Sequence, residues 1–288
     1  MSPLLDASAC HNLLRSFLAE DIGTGDLTTE KTVPATQRAR GEVIAKAPLV
    51  LAGIELFLEV FRLLDVTTTA QIFLHDGEKL TPGKVPARVD ASARALLTGE
   101  RVALNLLQRL SGVATLTRRF VRAIEGTEAE ILDTRKTTPG LRALEKYAVR
   151  VGGGKNHRKD LSEAILIKEN HIRLAGGVSA ALTAAQAAEG RAAWIEIEVT
   201  NLDELSAALA HHPDVILLDN MSPILVRQAV GVVRKHPAPK KIRTEASGGI
   251  TLDNVREFAE AGVDWISVGA LTHSAPAVDL SFEIEPFG

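Results

Sequence analysis

From residue 131 onward, short apolar runs recur with helix-forming stretches between them, and each run ends in ionisable or glycine-rich residues. Ile131 and Leu132 lead into Asp133, Thr134, Arg135 and Lys136. Ala164 to Ile167 ends in Lys168, Glu169, Asn170 and His171. Trp194 to Val199 carries Glu196 and Glu198, two residues apart and so on one strand face. Val215 to Leu218 ends in Asp219 and Asn220. Lys241 to Ala246 leads into Ser247, Gly248 and Gly249, and Trp265 to Val268 into Gly269 and Ala270. Alternation of strands with helices implies a parallel sheet with helical crossovers. In a parallel barrel all strand C-termini open on one face, where active sites lie. Six strands delivering charge or glycine to that face describe a polar, multi-charged site.

The helices between these strands are expected at 141–149, 178–188, 203–210, 223–234 and 252–261. Six strands fall short of a closed eight-stranded barrel, so the barrel is open or incomplete. The first 112 residues lack the alternation. Leu13, Leu14, Phe17 and Leu18 mark an amphipathic helix over 7–20, and a glycine-punctuated polar loop follows over 20–29. Strands are expected over 40–53 and 70–75, a helix over Ile54–Leu63, and a further strand at Arg88–Ala91. A long helix begins near Gly99, with Val102, Leu106 and Leu110 on its apolar stripe. The chain thus divides into an N-terminal α+β sandwich-like domain (1–112), an α/β barrel domain (113–275) and a C-terminal segment (276–288) that returns to the first domain.

Composition excludes several functions. Lys and Arg number 33 against 36 Asp and Glu, a formal charge of −3, so no basic field favours nucleic acid. Aromatic residues make up 4 %, too few for base-stacking surfaces. The longest apolar stretch, 47–54, is broken by Pro48 and Gly53 and cannot span a bilayer. The single cysteine, Cys10, rules out an intrachain disulfide. With no secretory pattern at Met1 to Asp6, it makes a cytoplasmic protein the simplest expectation.

Several constellations carry chemistry. Arg135 offers a rigid fork for carboxylate or phosphate, and Lys136 a compact charge. Adjacent Arg and Lys usually end as a solvated pair; position at a barrel mouth reverses that preference. Val151 to Lys159 joins three glycines to Lys155, His157, Arg158 and Lys159, a loop able to surround an anion, although a mobile surface loop is the blander reading. It is not a Walker loop. His157 ranks first as an anion donor, because its sequence neighbours are cationic and disfavour an imidazolium acting as base. Lys168 is open to two roles, anion clamp or Schiff-base nucleophile. Glu196, Glu198 and Asp219 form a carboxylate group suited to Mg²⁺ with phosphate partners, or to salt bridges with the cations. Ser247, Gly248 and Gly249, with Val268, Gly269 and Ala270, end consecutive strands, as barrel phosphate sites often do. Together these residues describe an enzyme for a small, highly anionic substrate.

The motifs, in this order, resemble the quinolinate phosphoribosyltransferases over nearly the whole chain. They comprise residues 20–29, 99–101, 133–140, 152–158, 167–171, 196–198, 218–221, 245–249 and 267–270. The resemblance implies transfer of the phosphoribosyl group of 5-phosphoribosyl-1-pyrophosphate (PRPP) to quinolinate, with decarboxylation, in NAD biosynthesis. It also implies dependence on Mg²⁺, held by Glu198 and Asp219, and a homodimer with sites between subunits that is open to further assembly. Arg135, His157, Arg158 and Lys168 would bind the two carboxylates, with Arg101 reaching in from the partner subunit. Lys136 and Lys168 would neutralise PRPP beside Thr134. Lys136, Lys168, Glu198 and Asp219 would form the catalytic set. Residues 247–249 and 268–270 would hold the 5-phosphate. Lys168 then becomes an electrostatic clamp and the Schiff-base role falls away. The rivals are a related pyridine phosphoribosyltransferase, a paralogue linked to molybdate transport, and a non-catalytic anion-binding protein that would not need Glu198 and Asp219.

Overall fold

A computed structural model describes residues 7–187, 192–238 and 241–287. Residue 188 of the expected 178–188 helix, residues 1–6 and Gly288 lie outside them. In chain order the elements begin with α1 (Ala7–Ile22), α2 (Leu27–Thr32), β1 (Arg38–Ala45), β2 (Leu49–Val50), α3 (Ile54–Leu64) and β3 (Thr69–Ile72). Next come β4 (Lys79–Leu80), β5 (Ala87–Ser92), α4 (Ala93–Ala123), β6 (Glu130–Leu132), α5 (Arg142–Val151), β7 (Ile165–Ile167), α6 (Glu169–Ala175) and α7 (Val178–Ala187). The last are β8 (Ile195–Val199), α8 (Leu202–Leu209), β9 (Val215–Asp219), α9 (Pro223–Lys235), β10 (Arg243–Ser247), α10 (Val255–Glu260), β11 (Trp265–Ser267), α11 (Ala270–His273) and β12 (Leu280–Pro286).

The chain forms two compact units. The first comprises residues 1–118, 139–153 and 275–288; the second comprises 119–138 and 154–274. Compactness therefore assigns 113–118 and 139–153, which the sequence grouped with the barrel, to the first unit.

The first unit is built on an antiparallel sheet in the order β12-β1-β5-β3. The C-terminal strand β12 pairs along β1, from Ala39 opposite Pro286 to Ala45 opposite Leu280. Because β12 takes that edge, β5 lies inside the sheet between β1 and β3. The apolar face of α3 supplies Phe61, which stacks on Phe282 of β12 at 5.3 Å, and Phe57, which meets both rings edge-on at 5.2 and 5.5 Å. Gly41 is required there: a Cβ would fall 2.0 Å from the Phe282 ring.

The single strand expected over 40–53 is two strands in different sheets. Pro48 has no N–H for the ladder, and β2 pairs with β4 instead. The polar loop over 20–29 runs into α2, six residues long and too short for a periodic signal. Asp26 caps it by accepting the Thr29 N–H at 3.0 Å. The long helix α4 starts at Ala93, so Arg101 lies about two turns in rather than at its start. Glu145, fully buried on α5, accepts two bonds from the Arg109 guanidinium, which also donates to Ala275 O at 2.7 Å. These bonds fasten 139–153 and the C-terminal segment to α4 within the unit.

The second unit is an all-parallel six-stranded sheet in the order β6-β11-β10-β9-β8-β7, with its own helices between successive strands from β7 onward; α5, between β6 and β7, belongs to the first unit. Strands β6 and β7 do not pair, so the barrel is open. Among the described residues, the free edge of β6 makes a single parallel bridge, between Leu132 and Lys155. Of the crossovers, α6 escaped the sequence reading because it buries no residue and shows no apolar stripe.

Candidate active site

The strand ends of the second unit surround a cavity of about 820 Å³. Thr134, Arg135, Lys136, His157, Arg158, Lys168, Glu198, Asp219, Ser247, Gly248, Gly249, Val268, Gly269 and Ala270 all line it. Every expected site residue of this unit is therefore brought together. Arg101 belongs to the other unit, where it is exposed, 3.9 Å from Glu100. The cavity also takes in Glu245, Asn220, Ser267 and His273, which were not singled out as site residues. The signal for His273 was its place one helical turn after Gly269, the glycine that follows β11.

Register explains the convergence. Ser247 of β10 lies level with Asp219 of β9 and Ser267 of β11, so the strand ends form one rim. Glu198 reaches the cavity, whereas Glu196, two residues earlier on the same face, is fully buried below it. The Lys168 ammonium lies 3.4 Å from Glu198. Gly269 makes room for Lys136: a Cβ there would lie 2.9 Å from the Lys136 Cδ. Thr272 donates its hydroxyl to Lys136 O at 2.8 Å and fixes that turn.

The 152–158 loop is anchored rather than mobile. Asp133, buried at the end of β6, accepts the His157 N–H at 2.9 Å and the Asn156 amide at 2.6 Å. His157 and Arg158 turn inward, while Lys155 and Lys159 remain exposed. The Arg158 guanidinium donates to Ala164 O at 2.7 Å. Burial, and then the charge of Arg135, hold its pKa below the usual arginine value.

His157 departs from the sequence expectation in its surroundings. Its nearest charged partners are carboxylates, not cations: Nε2 is 3.1 Å from Glu196 and 3.5 Å from Glu245. Trp194 also donates to Glu196 Oε2, at 3.0 Å. Burial opposes a charged imidazole, but while both carboxylates are ionised they outweigh it and push His157 up to about 10. Glu245 is itself pushed up, first by burial and then by the charge on Glu196. On the far side of the ring, the Arg158 N–H donates to Nδ1 at 2.8 Å. Accepting that bond takes a lone pair on Nδ1 and leaves Nε2 to carry its hydrogen toward the two carboxylates.

The same hydrogen bond bears on metal binding. The ligand atoms of His157, Glu196 and Glu245 lie within 4.8 Å of one another. With a hydrogen on Nε2, however, the imidazole has no lone pair to offer a metal there. Glu198 and Asp219 instead face the cavity as hard oxygen donors of the kind Mg²⁺ prefers.

Comparison with known proteins agrees with this geometry. The quinolinate phosphoribosyl transferase N-terminal domain matches residues 26–111 and its C-terminal domain residues 113–283. A Bacillus subtilis (strain 168) protein named "Probable nicotinate-nucleotide pyrophosphorylase (carboxylating)" is 46 % identical over 272 residues, covering 94 % of this chain and 92 % of its own. A nicotinate-nucleotide pyrophosphorylase (carboxylating) of Mycobacterium leprae is 43 % identical over 281 residues, covering 96 % and 97 %. The crystal structure of NadC from Streptococcus pyogenes superposes with a TM-score of 0.93 at 39 % identity, covering 99 % of each chain. With both domains matched in order and the open barrel and its cavity in place, the chain belongs to the quinolinate phosphoribosyltransferase family.

Proposed function

We propose that this protein is a nicotinate-nucleotide pyrophosphorylase (carboxylating), transferring the phosphoribosyl group of PRPP to the ring nitrogen of quinolinate. The products are nicotinate mononucleotide, pyrophosphate and CO₂, in NAD biosynthesis. One observation carries the reading: a single cavity joins Arg135, Lys136, Arg158 and Lys168 to Glu198 and Asp219, with glycine loops on the last two strands. A binding protein for a polyanion has no need of two acids beside it.

In this reading Arg135, Arg158 and Lys168 hold the two ring carboxylates, joined by Arg101 of the partner subunit in a homodimer. His157 lies at the same floor and acts through the Arg158 backbone, since both its ring nitrogens have protein partners. Lys136, beside Thr134, neutralises the pyrophosphate. Ser247, Gly248, Gly249, Val268, Gly269 and Ala270 hold the 5-phosphate, with backbone N–H groups and the following turn favouring the anion. Glu198 and Asp219 would hold Mg²⁺, which when bound would offset the charge of the departing pyrophosphate. The same acids stabilise positive charge as the bond from the ribosyl C1 to pyrophosphate breaks and the bond to the ring nitrogen forms. The positive charge on the quaternised nitrogen then stabilises the electron pair left at C2 as CO₂ departs, and that pair takes up a proton from solvent. Lys168 serves as a clamp in these steps, not as a nucleophile. A cytoplasmic location completes the proposal; no helix among the described residues is long and apolar enough to cross a membrane.

The test is incubation of the purified protein with quinolinate, PRPP and Mg²⁺, assayed for nicotinate mononucleotide and CO₂. Nicotinate, with one carboxylate fewer, should be a poor substrate. Comparable turnover of nicotinate would favour the related pyridine phosphoribosyltransferase instead.

A further inference from the structure

Asn220, one residue beyond Asp219, has a backbone φ of +53°. Left-handed backbone is costly for residues other than glycine, though asparagine tolerates it better than most. Three contacts converge on this residue. Its side-chain amide donates to Asp219 Oδ2 at 2.6 Å. Its backbone N–H donates to Ser247 O at 2.9 Å. Its Oδ1 lies where Gly248 would carry a side chain: a Cβ at Gly248 would be 2.2 Å away. Gly248 is itself left-handed, with φ +90°, so the β10 turn is shaped around the Asn220 amide.

We infer that Asn220 is a positioning residue that locks the Asp219 carboxylate and the 247–249 phosphate loop into one rigid unit. The inference rests on the functional reading above and deepens it. The amide fixes which Asp219 oxygen faces the cavity, because the other is held by the N–H. The same side chain props the glycine turn, so the acid at the ribosyl carbon and the loop at the 5-phosphate keep a fixed spacing. Asparagine suits the position because it combines tolerance of left-handed backbone with a donor at one end of the amide and an acceptor at the other. Aspartate would fit the backbone but set a second carboxylate against Asp219.

The experiment uses the full-length chain with Asn220→Gly and Asn220→Asp, and Gly248→Ala in the wild-type and Asn220→Gly backgrounds. Glycine adopts left-handed backbone without strain, so Asn220→Gly should leave Tm within about 3 °C of wild type. Its kcat should fall about tenfold or more, with KM for quinolinate within about twofold, because the acid acts on the transition state. Calorimetric Kd for ribose 5-phosphate should rise about fivefold or more, as the phosphate loop loses its prop. Asn220→Asp should be less active than Asn220→Gly. Gly248→Ala should cost less in the Asn220→Gly background than alone, since the occupied space is vacated. A well-folded Asn220→Gly with kcat and ribose 5-phosphate affinity both within about twofold of wild type would overturn the inference. So would equal cost of Gly248→Ala in both backgrounds. If wild type did not turn over quinolinate, the functional reading would fail, and the ribose 5-phosphate measurements would still decide the role of Asn220. No ribose 5-phosphate binding by wild type would overturn the placing of the 5-phosphate at the 247–249 loop, and the inference with it.

Discussion

His157 Nε2, at the floor of the cavity, lies 3.1 Å from Oε2 of Glu196, which is fully buried beneath it. A third buried residue, Glu245, stands 3.5 Å from the same nitrogen. Barrel interiors are normally filled with branched aliphatic side chains. Here one interior layer is ionisable, and a backbone N–H on the far side of the imidazole leaves Nε2 to carry its hydrogen toward the two carboxylates.

The two glutamates should differ in what they contribute. Burial and the charge on Glu196 already push Glu245 toward its neutral form, so Glu245→Gln should cost no more than about 1 kcal/mol of unfolding free energy. Glu196→Gln removes the charge that accepts from His157 and Trp194, and should cost about 1.5–3 kcal/mol. Denaturant unfolding of the two variants at neutral pH measures this. The reverse order would show that Glu245, not Glu196, carries the charge on which this cluster depends.

The acids and cations of the cavity should separate kinetically. Glu198→Gln and Asp219→Asn should lower kcat about a hundredfold or more, because their charge matters most as the ribosyl cation develops. Arg135→Ala should instead raise KM for quinolinate roughly 10- to 150-fold, since the carboxylate it meets is already charged in the ground state. Acid variants with normal kcat and only a raised KM would show that their transition-state role is wrong.

Arg101 and Lys168 should complement each other across a dimer. Arg101→Ala and Lys168→Ala should each be inactive alone. A mixed dimer would have one site with both defects and one with neither. Random reassembly of an equal mixture should recover about a quarter of wild-type activity. Activity is compared before and after subunit exchange, with exchange confirmed by mass spectrometry of tagged chains. No recovery despite exchange would place Arg101 in its own subunit's site or outside the site.

Asp264 should set part of the acid stability. Burial alone would raise its pKa, but hydrogen bonds from Lys241 and Arg234 and the Thr244 N–H prevail and lower it to about 2. A depressed carboxylate contributes stability above its unfolded pKa, near 4, and loses it as pH falls toward the folded value. Allowing for partial solvent screening, Asp264→Asn should cost about 1–2 kcal/mol at pH 6 and far less near pH 2. Denaturation of wild type and variant across that range is the check. A difference that did not shrink with acidification would assign the cost to lost hydrogen bonding rather than charge.

The sequence alone determined the alternation of the second unit and the chemistry at its strand ends. Both are local properties: apolar runs set the strands, and the residue just beyond each run is carried to the common face. Lys168, Glu198, Asp219 and the paired glycine loops were legible for that reason. Arg101 was legible only through family resemblance, because no local pattern ties a residue on α4 to a barrel. Short or exposed elements such as α2 and α6 bury too little to leave a periodic trace. Tertiary structure alone decided the rest. The single strand expected over 40–53 split at Pro48 because a missing N–H matters only once pairing partners are present. His157, Glu196 and Glu245 meet because β8 and β10, on either side of β9 and two residues out of level at these positions, both turn a glutamate inward beneath the loop that Asp133 anchors. Asn220 meets Gly248 because β9 and β10 end level, so that one amide fills the space a second side chain would need. Spacing along the chain says which residues reach a rim; inter-strand register says which of them touch.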